Sequence, residues 1–265
     1  NVKNPDPLNE KVFSAEIGYG FRSGILSVNL NGYYTLWMDK SFVRSTQMSN
    51  GDYARINLGG VDARHMGIEL DFSLRPTRWM DITGMLSLGN WIWDSNTKGY
   101  IYDSQGQPMT AALDGTVASG IMADDHAWLF LKQKGIKVGG SAQTTGAIGM
   151  TVRPMKGLRV SADWNAYGNN YADFWLGSGL NGNQTIEVKD PWRIPWGHQL
   201  DLSASYRFKI GNIFATIYGN VNNVYNYNYI MDAQSDALQE GIWQNAYAVM
   251  YSFGRTYTVR VKINF

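Results

Sequence analysis

A strict alternation of apolar and polar residues recurs along this chain and is clearest at its end. Between Tyr257 and Phe265 every second residue is apolar, and Thr, Arg, Lys and Asn lie between them. Because successive side chains of a β-strand point to opposite faces, this pattern predicts a strand with one apolar and one polar face. Further stretches alternate in the same way at residues 13–21, 25–38, 66–74, 82–88, 148–152, 158–164, 200–208 and 213–221. The sequence therefore predicts an all-β fold of about nine strands.

The predicted strands are long for a soluble protein. The second, from Ile25 to about Met38, exceeds the usual five or six residues of globular strands. It is long enough to cross a bilayer, which takes a tilted strand of roughly 9 to 11 residues. No apolar run approaches the roughly 18 residues of a membrane-spanning helix. If the chain spans a membrane, it must therefore do so as a β-barrel, which also satisfies every backbone hydrogen bond in lipid.

Connections between the predicted strands alternate in length. About four residues follow strands one, three, five and seven, with turns at Arg22, Pro76, Pro154 and Lys209. Polar stretches of roughly twenty residues or more follow the other strands, at about 39–62, 94–140, 168–196 and 225–254. Short and long connections therefore lie at opposite ends of an antiparallel sheet, as turns and extracellular loops do in outer-membrane barrels. We expect recognition on the long connections, because loops on a rigid scaffold often carry binding residues.

The polar strand face predicts a water-filled interior. It carries small polar residues and charges, among them Glu69, Asp71, Asp201, Arg207 and Arg260. A soluble lipocalin-like barrel would reverse the two faces, and alternation alone does not separate these arrangements. Strand length, unequal connections and aromatic strand ends favour lipid against the apolar face and a lumen lined by these charges. Glu69 and Asp71 are also spaced like paired acid-base carboxylates, but we favour a charged lumen wall.

Composition argues against several classes of function. Lys and Arg number 23 against 22 Asp and Glu, so no charge excess points to nucleic acid. The absence of cysteine removes disulfides, thiolate catalysis and cysteine metal sites. The histidines His65, His126 and His198 show no metal-ligand spacing, and Asp124-Asp125-His126 is interpreted as a solvated loop. We therefore predict no enzyme activity, no metal site and no cofactor.

Aromatic residues are frequent in two of the long connections. The candidates for contact with a substrate or a covering protein are Trp175, Trp192, Trp196, Tyr227, Tyr229 and Trp243. Flat rings that stay exposed can stack on sugar faces or pack against a protein lid. Packing within the loops and an aromatic belt at the membrane interface are alternative roles for each ring.

Six segments of the chain carry a resemblance to a known family. In order they are Glu16-Ile17-Gly18-Tyr19, Gly60-Val61-Asp62 through Gly67-Ile68-Glu69-Leu70, Pro154-Met155-Lys156-Gly157-Leu158, Asn170-Tyr171-Ala172-Asp173-Phe174, Asn222-Asn223-Val224-Tyr225, and Arg255-Thr256-Tyr257 to Phe265. They resemble the C-terminal part of TonB-dependent receptors, and among these the SusC-like branch. The resemblance implies a barrel of about 22 strands around an N-terminal plug. It also implies a TonB complex as energy source, a SusD-like lipoprotein that captures glycans or peptides, and Phe265 as the C-terminal assembly signal.

We therefore expect an integral outer-membrane protein that imports a bulky nutrient, with residues 1–265 forming the C-terminal part of its barrel wall. The plug, the TonB box and the earlier strands are expected outside this chain. An odd number of strands leaves two edges unpaired, so we expect the N-terminal remainder of the same receptor to pair with both. A passive porin or structural barrel is the alternative function, and a soluble carbohydrate-binding β protein is a third.

Overall fold

The computed structural model describes residues 8–120 and 126–264, so Phe265, Asp124 and Asp125 lie outside the described residues. The strands in chain order are β1 Lys11–Arg22, β2 Leu26–Met48, β3 Tyr53–Thr77, β4 Met80–Trp93, β5 Thr97–Asp103, β6 Met109–Ala111, β7 Val117–Ser119, β8 Trp128–Lys132, β9 Ala142–Val152, β10 Leu158–Tyr171, β11 Asp173–Trp175, β12 Ser178–Leu180, β13 Gln184–Glu187, β14 Arg193–Ile194, β15 Gly197–Ile210, β16 Ile213–Asn222, β17 Ile230–Asp236, β18 Ala246–Tyr251 and β19 Thr256–Asn264. A 3-10 helix spans Trp243–Asn245. Within the described residues, no helix has the length and apolar character that crossing a membrane requires.

Nine of these strands form one antiparallel sheet, which we call the wall sheet. Its order is β1-β2-β3-β4-β9-β10-β15-β16-β19, so each of these strands pairs with the wall strand before and after it in the chain. These nine strands correspond to the nine alternating stretches. The prediction of an all-β antiparallel fold is confirmed, including β4, whose alternation is weaker.

The two edges of the wall sheet do not meet within the described residues. β1 pairs only with β2, and β19 pairs only with β16. Every residue of β1 and every residue of β19 is exposed. Both edges therefore present unpaired backbone N–H and C=O groups, as open sheet edges do.

Cross-strand register gives the wall sheet one polar and one apolar face. On the polar face, Asp71 lies opposite Asn29 and accepts a hydrogen bond from its side chain at 2.9 Å. On the apolar face, Leu70 lies between Leu30 and Leu86, and Leu30 and Leu86 are 43% and 41% exposed. The sheet is therefore amphipathic, with large apolar side chains left uncovered on one side.

The interpretation of residues 39–62 as a long polar connection is wrong. β2 continues to Met48 and β3 starts at Tyr53, so only a tight turn separates them. Polar residues alternate with apolar residues in these strand ends. The segment is therefore polar on average, although one of its faces is apolar and buried. The buried residues of that face include Ala54, Ile56 and Leu58.

The other long connections also fold, and they extend the sheet at the end where they lie. β5 pairs with the first residues of β3, β8 pairs with β5, and β13 adds in parallel to β8. β11, β17 and β18 form a separate three-stranded sheet, and β6 pairs with β7. We call the described parts of residues 39–62, 94–141, 172–196 and 223–255 the loop layer.

The larger hydrophobic core of the described residues lies in the loop layer. Its fully buried side chains include Ile56, Leu58, Ile101, Leu129, Leu131 and Leu176. They come from three of the four connections, and the buried Ala237 of the fourth joins them. The loop layer is therefore a packed unit, because burial of apolar area is the main stabilising term in a fold.

Candidate functional site

Residues 172–196, between β10 and β15, join all parts of the loop layer, and we call them the cross-connection. β11 pairs with β17 of the last connection, and β12 pairs with the end of β2. β13 pairs with β8 of the second connection, and β14 pairs back onto β10. The cross-connection therefore positions its side chains relative to every other long connection.

An ion pair between aromatic rings fixes the start of the cross-connection. The guanidinium of Arg44 on β2 contacts both carboxylate oxygens of Asp173, with both N···O distances at 3.1 Å. The same guanidinium lies 5.0 Å from the ring centroids of Phe42 and Phe174. Bidentate pairing and cation–π contact both favour this planar geometry. Sequence reasoning missed this pair, since its members lie 129 residues apart.

Two of the predicted contact residues, Trp175 and Trp243, form ring pairs between the cross-connection and the last connection. Trp175 stacks on Tyr247 with ring centroids 4.6 Å apart. Trp243 packs edge-on against Trp192 at 5.3 Å. Trp243 is 49% exposed and Tyr247 is 62% exposed. The loop layer therefore presents exposed rings that their partner rings hold in place.

Trp192 is buried, so the expectation of an exposed ring is wrong at this position. Only 8% of the residue is exposed, and it packs in a small core with Ala172, Ile194 and Ala233. Its carbonyl accepts a hydrogen bond from the Ala172 N–H at 2.9 Å. The strand pairing of β14 draws the ring between the two connections, which a local sequence pattern does not reveal.

Trp196 lies where the cross-connection rejoins the wall sheet, and Tyr227 and Tyr229 lie where the last connection leaves it. Trp196 is 53% exposed. Tyr227 stacks on His198 at 4.9 Å, and Tyr229 stacks on Tyr167 at 5.7 Å. Burial raises the pKa of Tyr229 above its usual value, with Tyr167 adding to the effect. An aromatic belt at the membrane interface is the alternative role predicted for these rings.

The charged residues predicted for the lumen lie on three strands of the wall sheet. Glu69 and Asp71 are exposed on β3. Arg207 of β15 lies over the Phe214 ring at 4.6 Å, and Arg260 of β19 lies over the Tyr218 ring at 4.3 Å. Cross-strand pairing places Arg260 opposite Tyr218 on the polar face. These side chains line the sheet as a row and do not form one compact site.

Asp201, the fifth of these residues, fixes the start of the last connection. Its carboxylate accepts hydrogen bonds from the Gln199 side chain and from the backbone N–H of Asn223, each at 2.8 Å. Asn223 has a positive φ of 52°, a conformation that asparagine tolerates better than most residues. Asp201 therefore has a structural contact that its place on the polar face does not predict.

Two titratable groups of the loop layer, Asp103 and His126, contact backbone groups of the same layer. Burial alone would raise the pKa of Asp103, but hydrogen bonds from the backbone N–H groups of Gln107 and Gln105 lower it below the usual value. His126 is half-buried, with its Nε2 2.9 Å from the Ile101 carbonyl oxygen. No three His, Asp or Glu residues of the described chain lie together as a metal site requires.

Comparison with known proteins gives one family. Residues 2–224 match the family described as TonB dependent receptor-like, beta-barrel. No curated protein matches the chain.

Solved structures with the same fold include the copper transporter OprC, with 16% identity and a TM-score of 0.57 over 97% of this chain and 31% of that one. The siderophore receptor PiuA from Acinetobacter baumannii is 14% identical, with a TM-score of 0.54 over 96% of this chain and 28% of that one. The FrpB iron transporter from Neisseria meningitidis (F3-3 variant) is 15% identical, with a TM-score of 0.54 over 99% of this chain and 32% of that one. The chain thus spans roughly a third of each of these proteins. At such identities the similarity shows the fold alone.

Proposed function

Because this chain belongs to the TonB-dependent receptor β-barrel family, we propose that it forms part of the wall and the outer loops of a transporter that imports a bulky nutrient. Proteins of this family are integral to the outer membrane, and so is this one. Energy for import comes from a TonB complex, which acts on an N-terminal plug inside the barrel. The plug and the other strands belong to the N-terminal remainder of the same receptor.

The open, amphipathic wall sheet is the observation that carries this proposal. β1 and β19 each leave one side of the strand unpaired within the described residues. In lipid each unsatisfied polar group costs several kcal/mol, so two open edges would exceed the roughly 5–15 kcal/mol that stabilises a domain. We infer that further strands pair with both edges, and we propose that this chain is the C-terminal part of the completed barrel.

We assign the polar face to the lumen and the apolar face to lipid. Glu69, Asp71, Asp201, Arg207 and Arg260 then line the transport path, and Leu70, Leu202 and Val261 meet acyl chains. The long connections lie on the extracellular side, since unequal connections in these barrels place the long ones there.

The substrate class that we propose is a glycan or a peptide, delivered by a SusD-like surface lipoprotein. The motifs shared with the SusC-like branch support this, as does the folded loop layer with its exposed Trp243 and Tyr247. Aromatic rings offer a flat apolar surface for a sugar ring or for a packed protein lid. The copper, siderophore and iron in the names of the three similar proteins refer to those proteins and not to this chain.

Uptake by cells that carry the full-length receptor tests this function. We expect uptake of a fluorescent oligosaccharide mixture, or of a fluorescent peptide mixture, to fall at least tenfold when a protonophore removes the proton-motive force. The reason is that a plugged barrel opens only when TonB is energised. Uptake that persists with the protonophore would favour the passive porin. Receptor-dependent uptake of neither mixture would contradict the proposed substrate class.

Replacing one exposed ring tests the role of the loop layer. We expect Trp243→Ala to lower uptake of the transported mixture about two- to tenfold, because one aromatic contact contributes about 0.5–1.5 kcal/mol. Trp79→Ala is the matched control, since Trp79 is 51% exposed and lies in the short turn between β3 and β4 at the opposite end. Equal losses in the two variants would argue against recognition by the loop layer.

A further inference from the structure

A furrow runs across the apolar face of the wall sheet, on the side away from the polar face. It has a volume of about 730 Å³ and is lined by residues of β1, β2, β3, β4, β9 and β10. Gly32 forms its floor, and Ile17 and Ile68 lie directly opposite Gly32 on the two neighbouring strands. Ile17 is 79% exposed and Ile68 is 56% exposed. The missing side chain at Gly32 therefore leaves a trough between two protruding isoleucines.

The furrow ends in polar groups at the end of the sheet that carries the loop layer. Asn90, Thr144 and Asn169 line it there, and the Asn169 side-chain amide donates to Thr144 Oγ1 at 2.8 Å. Lys137 Nζ donates to Asn90 Oδ1 at 2.7 Å. The Arg193 guanidinium donates to Asn169 Oδ1. Two cations thus stand one hydrogen bond from the residues that line the polar end.

Among residues 8–120 and 126–264, no carboxylate lies at ion-pair distance from either cation. Neither takes part in the salt bridges of the described residues. Burial lowers the pKa of Lys137, and the charge of Asp190 opposes this effect. An anion bound at the polar end would therefore receive charge-assisted hydrogen bonds that the protein itself leaves unused. The furrow combines an apolar trough with a positively charged end.

We propose that this furrow binds one anionic lipid of the outer leaflet, with an acyl chain along Gly32 and a phosphate-bearing sugar headgroup at Lys137 and Arg193. The proposal rests on the proposed function, because it requires the apolar face to meet the membrane. Basic groups beside a membrane-facing trough are the usual means of holding an anionic lipid headgroup, and the amides suit its hydroxyls.

Filling the trough tests the acyl-chain site. The purified full-length receptor is titrated with lipid A in detergent, and bound lipid is measured by native mass spectrometry. We expect Gly32→Leu to weaken binding at least tenfold. A Cβ at Gly32 meets only Ile17 Cγ2, at an ordinary contact distance of 3.6 Å, so the backbone there leaves room for a Cβ. Gly219→Leu is the matched control, because Gly219 lies opposite Ala204 on the apolar face and a Cβ there meets no atom within 4 Å.

Removing the charges tests the headgroup site independently of trough filling. We expect Lys137→Gln combined with Arg193→Gln to weaken lipid A binding at least tenfold and to leave phosphatidylcholine binding unchanged. Lys132→Gln is the matched control, because the Lys132 side chain pairs with Glu187 elsewhere in the loop layer. It should leave the binding of both lipids unchanged. If Gly32→Leu fails to assemble, Gly32→Ala and this double variant still provide the test.

Three outcomes would overturn the lipid site. They are equal lipid A binding by the wild type and both kinds of variant, equal affinity of the wild type for phosphatidylcholine and lipid A, and displacement of lipid A by soluble glucosamine phosphate. Protonophore-sensitive uptake is measured in the same proteins, so the two proposals fail separately. Specific lipid A binding without energised uptake would refute the proposed function alone.

Discussion

Expressed alone, the 265 residues are expected to form no closed, membrane-inserted barrel. β1 and β19 are both edge strands, and in hydrocarbon each unpaired N–H or C=O group costs several kcal/mol. Assembly is measured by the heat-dependent gel shift of folded barrels after refolding into liposomes. We expect no shifted band for this segment alone.

Co-expression with the proposed N-terminal remainder of the receptor is the control for that experiment. The added strands satisfy both edges, so the shifted band should appear when the two segments are produced together. A shifted band from the 265-residue segment alone would show that it closes by itself. That result would favour a small independent barrel and a passive or structural function.

Reversing the polarity of one position in β15 should have the second largest effect. Leu202 lies between Ala162 and Val221 on the apolar face, and it is 39% exposed. An arginine that faces lipid near the membrane midplane costs about 2–4 kcal/mol. We therefore expect Leu202→Arg to lower the free energy of unfolding of the full receptor by that amount, measured by urea titration in liposomes.

Ser203→Arg is the matched control, because the neighbouring residue of the same strand points to the other face. Ser203 lies between Ser161 and Asn220, both polar. In a water-filled lumen the added guanidinium keeps its hydration, so we expect a change below about 1 kcal/mol. Equal effects of the two substitutions would contradict the assignment of the two faces.

The wall sheet was predictable from the sequence because apolar and polar residues alternate within each of its strands. The rows that contain Leu70 and Leu202 alternate with polar residues over distances that exceed a globular strand. Short turns then determine antiparallel pairing for the strands that they join, and the long connections link those hairpins in chain order. Local pattern and global topology agree here, so the strand order follows from chain order.

The loop layer was not predictable, because its contacts join residues that are distant in the chain. Arg44 and Asp173 pair across 129 residues, and neither belongs to a periodic stretch that indicates the contact. β12 and β13 are only three and four residues long, and both pair in parallel with distant strands. Trp192 illustrates the result, since an aromatic residue in a polar segment is found buried. Tertiary pairing decides such segments, whereas local propensity does not.

Amide hydrogen exchange on β1 and β19 in the full-length receptor tests most directly whether this chain is a wall segment completed by other strands. The amides that point away from β2 and β16 have no partner among the described residues. We predict that in the assembled receptor they exchange as slowly as the amides of β2 and β16, because added strands hydrogen-bond to both edges. Fast exchange of these amides in the assembled receptor would contradict the account.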